Sequence, residues 1–252
     1  MVKNMKLPIS KRLLLCADMV PPCDTVADVG TDHGYLGIHL LQSGKCAHVI
    51  AADLREKPLK SAKTNAALFS VDDRMTFLQS DGLQNIEPGS FDVLVLAGMG
   101  GDLISRILAD APWLEGGPYT LILQPQSAAN DLRRWLGERL WTIDRERLVR
   151  DGHFLYSVLS VRPGQGRPLT PGEQYVSPAL RRENDPLYEQ YLARARRALE
   201  LTVRGITQST DPADLERASY YRAALDEITA LGRAPEPSPS GEGGTSAHTG
   251  DG

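Results

Sequence analysis

The sequence predicts an α/β fold: a mostly parallel sheet covered by helices on both faces, closed by an antiparallel hairpin and followed by a smaller helical unit. Three observations predict it. Apolar runs of strand length alternate with amphipathic stretches over the first half of the chain, the pattern of successive βαβ units. An Asp151-Gly152 pair then separates two β-rich runs, and two long helical patterns occupy the last third.

In chain order, Ser10 is placed to cap a helix through KRLLLCADMV, which the Pro21-Pro22 pair stops. TVADVG (Thr25 to Gly30) reads as a buried strand, followed by a glycine-broken turn and a helix through YLGIHLLQ. HVIAADL (His48 to Leu54) is the second strand, and Pro58 suits the first turn of the helix after it. MTFLQS, FDVLVLAG and YTLILQP read as strands separated by the helical stretches GDLISRILADAPWL, beginning at Asp102, and SAANDLRRWLGERL. WTIDRERLVR and HFLYSVLSVR flank the Asp151-Gly152 turn as a β-hairpin. PGQGRPLTPGEQ is an irregular connection. After it, LRRENDPLYEQYLARARRALELTVRGI and PADLERASYYRAALDEITAL form a helical hairpin, the second with Leu215, Ala218, Tyr221, Leu225 and Ile228 at helical spacing. The Pro, Gly and Ser of the tail have little to bury, so disorder is expected there. The expected division is 1–163 for the sheet domain, 164–233 for the helical hairpin and 234–252 for the tail.

Composition narrows the class. Hydrophobic residues make up 41% of 252 positions, enough for a proper core, and no apolar run approaches the roughly 18 residues that span a bilayer. Three cysteines without metal-ligand spacing, and an N-terminal MVKNMKLPISKR without a signal-peptide core, predict a reduced, cytoplasmic setting with no metal and no membrane partner. The net charge of -4 means that any grip on nucleic acid must come from local basic clusters. The candidates are Lys3, Lys6, Lys11 and Arg12; Arg133, Arg134 and Arg139; and Arg181, Arg182, Arg194, Arg196 and Arg197. Each reads equally well as a solvated helix face.

The chemistry concentrates in ADVGTDHGYLGIHL, where a strand runs through a glycine turn into a helix. In an open α/β sheet that turn faces the ligand site. A dinucleotide fingerprint would present bare glycine to a pyrophosphate, but Asp32 stands at the second glycine position of Gly30-Thr31-Asp32-His33-Gly34. A carboxylate there repels a diphosphate, which argues against a nicotinamide dehydrogenase. S-adenosylmethionine carries a sulfonium and an ammonium and no phosphate, so Asp28 and Asp32 complement it. Mere turn-capping leaves unexplained the acid on both sides of Gly30.

Asp53, beside Leu54, closes the second strand about 20 residues on, where an acid reaches ribose hydroxyls. Asp81-Gly82 closes the third, either as an acceptor for an adenine amino group or as a plain turn. LAGMGG ends the fourth strand with glycines around Met99 that admit a flat ligand, and lacks the Asn/Asp-Pro-Pro-aromatic run common in enzymes that methylate exocyclic amines. Gln124 ends the fifth strand, suited to a nucleobase edge or equally to holding the neighbouring loop. His33, Met99 and Gln124 are the candidates for touching an acceptor base, with His33 also readable as a structural residue of the turn.

A parallel sheet closed by a hairpin is the order seen in class I, Rossmann-like methyltransferases. Taken with SKRL, ADVGTDHGYL, AGMGG, LILQP and YVSPALRRENDPLYEQYL, the chain resembles the bacterial TrmK family from about Ser10 to Leu231. The resemblance implies an S-adenosylmethionine-dependent tRNA methyltransferase acting on N1 of adenine 22. It maps Asp28, Gly30, Asp32, His33, Asp53, Asp81, Gly82, Ala97 and Gly98 onto the cofactor pocket, with Thr31, Gly34 and Leu54 completing the candidate set. It also maps the helical hairpin onto a C-terminal coiled-coil domain. The alternatives are a methyltransferase for another RNA site or a small molecule, and a noncatalytic RNA-binding module. The last is disfavoured because Asp28, Asp32 and Asp53 are all retained. Oligomeric state is not legible in the sequence.

Overall fold

The computed structural model describes residues 6–207 and 212–232. Seven strands form one sheet in the order β3-β2-β1-β4-β5-β7-β6. Strands β1 (Thr25–Val29), β2 (His48–Asp53), β3 (Met75–Gln79), β4 (Val93–Gly100) and β5 (Thr120–Ser127) pair in parallel. Strand β7 (Phe154–Gln165) runs antiparallel between β5 and β6 (Trp141–Asp151). This is the Rossmann-like architecture with its terminal β-hairpin.

The helices that cover the sheet begin where local chemistry dictates. Helix α1 (Lys11–Met19) starts at Ser10, whose Oγ accepts from the Leu13 amide, and ends before the proline pair. Helix α2 (Tyr35–Gln42) follows Gly34, which adopts a left-handed φ of 71°. A Cβ at Gly34 would stand 3.0 Å from that of Ala62 on α3 (Glu56–Leu68), so a side chain there is opposed by both backbone and neighbour. Helix α4 (Gly101–Ala109) begins one residue earlier than the sequence suggests. Gly101 lies against the Ala128 carbonyl, where a Cβ would approach to 2.3 Å. Helix α5 (Ala129–Glu138) returns along the same face as α4.

Two cores flank the sheet. One packs Ala27, Leu94, Leu96, Leu121 and Leu123 against α4 and α5 residues such as Ile104, Leu108, Leu132 and Leu136. The other packs Val26, Val49, Val95 and Ile122 against α1 and α2 through Cys16, Val20, Leu36 and Leu40. Strands buried on both faces explain the continuous apolar runs in the sequence.

The C-terminal part departs from the expected pair of helices. Short helices α6 (Pro171–Tyr175) and α7 (Pro178–Arg182) precede α8 (Tyr188–Thr207) and α9 (Pro212–Leu231). The helical pattern expected from Leu180 to Ile206 is therefore broken between Arg182 and Tyr188. Pro186 offers no amide, Asn184 turns to φ 48°, and the Asp185 carboxylate accepts from the amides of Leu187 (2.9 Å) and of Leu148 on β6 (2.8 Å). Helix α9 extends over its expected span, and Ala218 and Ile228 are buried while Tyr221 and Leu225 pack beside them. Leu215 is in the helix, but its side chain lies outside the described residues, as do Lys3 and the tail from 234 on. A third core joins Leu148 and Leu155 of the β-hairpin to Val176, Leu180, Leu192, Leu199 and Ile228.

Arg133 is corrected by the structure. Expected in a surface basic cluster, it is fully buried on α5, paired with the equally buried Glu146 of β6. Its guanidinium also donates to the Gln174 carbonyl (3.1 Å), the Tyr191 hydroxyl (2.8 Å) and Ser157 Oγ (3.3 Å). Ser177 Oγ donates to Glu146 at 2.6 Å. Burial opposes the cationic form of Arg133, but Glu146 and Tyr191 outweigh it and hold the charge. The sequence marks Arg133 only as one of a run of arginines. Its partners lie on β6, β7, α6 and α8, which only the fold assembles.

Candidate active site

The carboxyl ends of the parallel strands open into a cleft of about 690 Å³, within the range of small-molecule sites. Asp28, Gly30, Thr31, Asp32, His33 and Gly34 reach it from the β1–α2 turn, and Asp53 and Leu54 from β2. Asp81 and Gly82 reach it from the turn after β3, and Ala97, Gly98 and Met99 from β4. Of the candidate residues only Gln124 stays outside. The crossover order places β1 between β2 and β4, so these turns converge on one side of the sheet.

Charge in the cleft is uneven. Asp28 is buried and accepts a hydrogen bond from Thr31 Oγ1 at 2.7 Å. Burial pushes its carboxyl up to about 6, the Thr31 hydroxyl opposes that shift, and nearby Asp53 adds to it. Asp53 is also buried, and its Oδ1 accepts from the Arg55 amide at 2.8 Å. Asp32 and His33 lie at the exposed rim, 3.5 Å apart, and the imidazole stacks on Tyr35 with ring centres 5.6 Å apart. Asp28, Asp32, Asp53 and Asp81 outnumber the arginines of the cleft, Arg12, Arg55 and Arg106, a balance that suits a cationic nucleoside.

Gly30 adopts φ 84°, and a Cβ there would stand 2.3 Å from the Met99 methyl. Met99 therefore lies directly over the glycine turn. The bulge in β4 at Ala97 to Met99 turns Gly98 to φ 82° and swings this segment toward the cleft.

Gln124 is the correction among the candidate base contacts. It is fully buried; its Oε1 accepts from the Gly98 amide at 3.0 Å and from Arg12 at 2.6 Å, and its Nε2 donates to the Pro125 carbonyl at 2.9 Å. The amide therefore holds the β4 turn and α1 rather than facing a ligand. The reason is the register of β5, which turns Gln124 under the β4 bulge.

The cleft holds further residues beyond the expected set. Arg12, Ser10 and Leu13 enter from α1, Tyr35 from α2, Leu103, Arg106 and Ile107 from α4, and Gln126 from the end of β5. Tyr35, next to the glycine turn, was within reach of a sequence argument. Arg12 was visible only as part of a basic cluster, since its partner Gln124 is 112 residues away. Among the described residues no group of His, Cys, Asp or Glu is arranged to hold a metal ion, and no helix is long and apolar enough to cross a membrane.

Residues 9–159 match the family model described as a methyltransferase domain. The chain is 34% identical to the tRNA (adenine(22)-N(1))-methyltransferase of Bacillus subtilis over 190 residues, 73% of this chain and 79% of the relative. The chain belongs to the TrmK family. The crystal structure of the B. subtilis m1A22 tRNA methyltransferase TrmK superposes with a TM-score of 0.78 at 26% identity, covering 90% of this chain and 99% of that one. Sp1610 of Streptococcus pneumoniae in complex with S-adenosyl-L-methionine superposes with a TM-score of 0.72 at 30% identity, covering 86% and 99%. This TrmK-family member is an S-adenosylmethionine-dependent methyltransferase, and its acidic cleft fits that cationic cofactor in charge and size.

Proposed function

We propose that the chain methylates N1 of adenine 22 in tRNA, in the cytoplasm, with the cleft under β1, β2 and β4 as the cofactor site. The observation that carries this reading is its membership of the TrmK family across the catalytic fold and most of the C-terminal helices.

The cofactor supplies, when bound, a methyl group on a positively charged sulfur. Asp28, Asp32, Asp53 and Asp81, which line the cleft, then provide the negative wall that holds a cationic nucleoside; in this reading Asp53 takes the ribose hydroxyls and Asp81 the adenine amine. The acceptor needs little activation, because adenine N1 is neutral at pH 7 and presents a lone pair. No strong general base is required. The protein's contribution is orientation, worth on the order of 7–11 kcal/mol for well-placed reactants. Because N1 lies on the pairing edge, the base enters unpaired. In this reading Met99, over the glycine turn, and His33, at the rim, contact it, whereas Gln124 acts through Gly98 and Arg12.

The test is labelled methyl transfer to total tRNA followed by reverse transcription. A stop at adenine 22 is expected, since N1 methylation blocks pairing. Methylation at another position, or of a small molecule only, overturns the reading.

A further inference from the structure

Beside the acidic cleft, across Gln126, lies a second one of about 220 Å³ between the end of β5, the start of α5 and helix α8. Its lining differs from that of the first, which combines aspartates with Arg12, Arg55 and Arg106. Among the described residues no Asp or Glu lines it, whereas four aspartates line its neighbour. Tyr156, Tyr175 and Tyr191 supply ring surface. Arg133 is neutralised by Glu146, but Arg194 donates to the Leu155 carbonyl at 3.3 Å and has no carboxylate partner among the described residues. In a chain of net charge -4, a carboxylate-free hollow with an uncommitted cation and three phenol rings is selective for an anion that carries a flat group.

We infer that this second cleft holds a nucleotide flanking the target adenosine, its base against Tyr156 and its phosphate by Arg194. This rests on the tRNA reading above. The two clefts share Gln126, so a strand that delivers one base to the acidic cleft passes its neighbour to the second. Phe154, exposed and 5.9 Å from Tyr156 between ring centres, extends the aromatic surface along β7. At about 220 Å³ the hollow has room for one flat base and not for two, so it sets the register of the strand as well as adding affinity.

The test uses the full chain with tRNA and with tRNA carrying an abasic site on either side of the target. Arg194→Glu, Arg194→Gln and Tyr156→Ala are expected to raise KM for tRNA by about tenfold, while kcat at saturating tRNA and the thermal shift with S-adenosylmethionine stay within about twofold of wild type. The Arg194 variants are expected to lower the salt slope of tRNA binding by about one. One of the two abasic tRNAs should show the same KM rise with wild type and no further rise with Tyr156→Ala. Unchanged KM and salt slope in the variants, or abasic effects identical in wild type and Tyr156→Ala, overturn the inference. Failure of the wild type to methylate any tRNA instead overturns the reading it rests on.

Discussion

Arg12 on α1 and Gln124 within β5 meet at 2.6 Å, and the same Gln124 oxygen accepts from the Gly98 amide at 3.0 Å. One buried amide therefore ties the N-terminal helix to the β4 turn that carries Met99. Gln124→Leu leaves the Gly98 amide without its acceptor and frees Arg12, a loss expected to cost about 1–3 kcal/mol of stability. Thermal unfolding measures that cost. Methyl transfer should fall more steeply than cofactor binding, because the displaced segment carries a proposed base contact; equal activity of variant and wild type would contradict the role assigned to Gln124.

Asp28 gives a pH dependence with a defined sign. Its carboxyl titrates at about 6 in the folded protein against an ordinary value of 3.8. The native state thus binds a proton that the unfolded chain has already lost, and the stability of the cofactor-free protein falls as pH rises from about 4 to 6. Cofactor affinity runs the opposite way, since a cation favours the ionised carboxylate. Affinity for S-adenosylmethionine should rise about tenfold between pH 5 and 7, following the ionised fraction. In Asp28→Asn that rise should disappear, as titration calorimetry across the range can establish.

Asp53 should separate binding from folding. Its side chain is buried, but its partners are local: the Arg55 amide at 2.8 Å and the Arg55 guanidinium at 3.8 Å. Asp53→Ala should leave the melting temperature of the free protein within a few degrees of wild type and abolish most of the upward shift that S-adenosylmethionine produces. NAD should give no shift with either protein, because ligand stabilisation requires binding to the native state. A full shift in the variant would remove Asp53 from the site.

The pair Arg133 and Glu146 should behave as a unit. Arg133→Met strands a buried carboxylate, and Glu146→Gln strands a buried guanidinium; each is expected to cost about 3–5 kcal/mol. Replacing both with apolar residues of similar volume should recover most of that loss. Denaturant unfolding of the two single variants and the double variant decides it, and additive losses would show that the two side chains act independently.

The order of elements was legible because each is encoded locally. The strand runs, Ser10 before α1, the glycine turn before α2 and the Asp151-Gly152 hairpin all announce themselves within a few residues. So did most of the acidic cleft, because the carboxyl ends of parallel strands lie along one edge of the sheet, and Asp28, Asp53, Asp81 and Gly98 each sit at or beside such an end. Local patterns were therefore enough for the fold class, the acidic turn and the kind of ligand it suits. Roles that depend on distant partners followed from packing. Arg133 looks like a surface cation until β6 brings Glu146 to it, Gln124 looks like a base contact until the bulge brings Gly98 over it, and Arg12 enters the cleft only because α1 packs back against β5. A side chain's burial and partners are set by chain segments far away in sequence, and no local pattern of residue types carries that information.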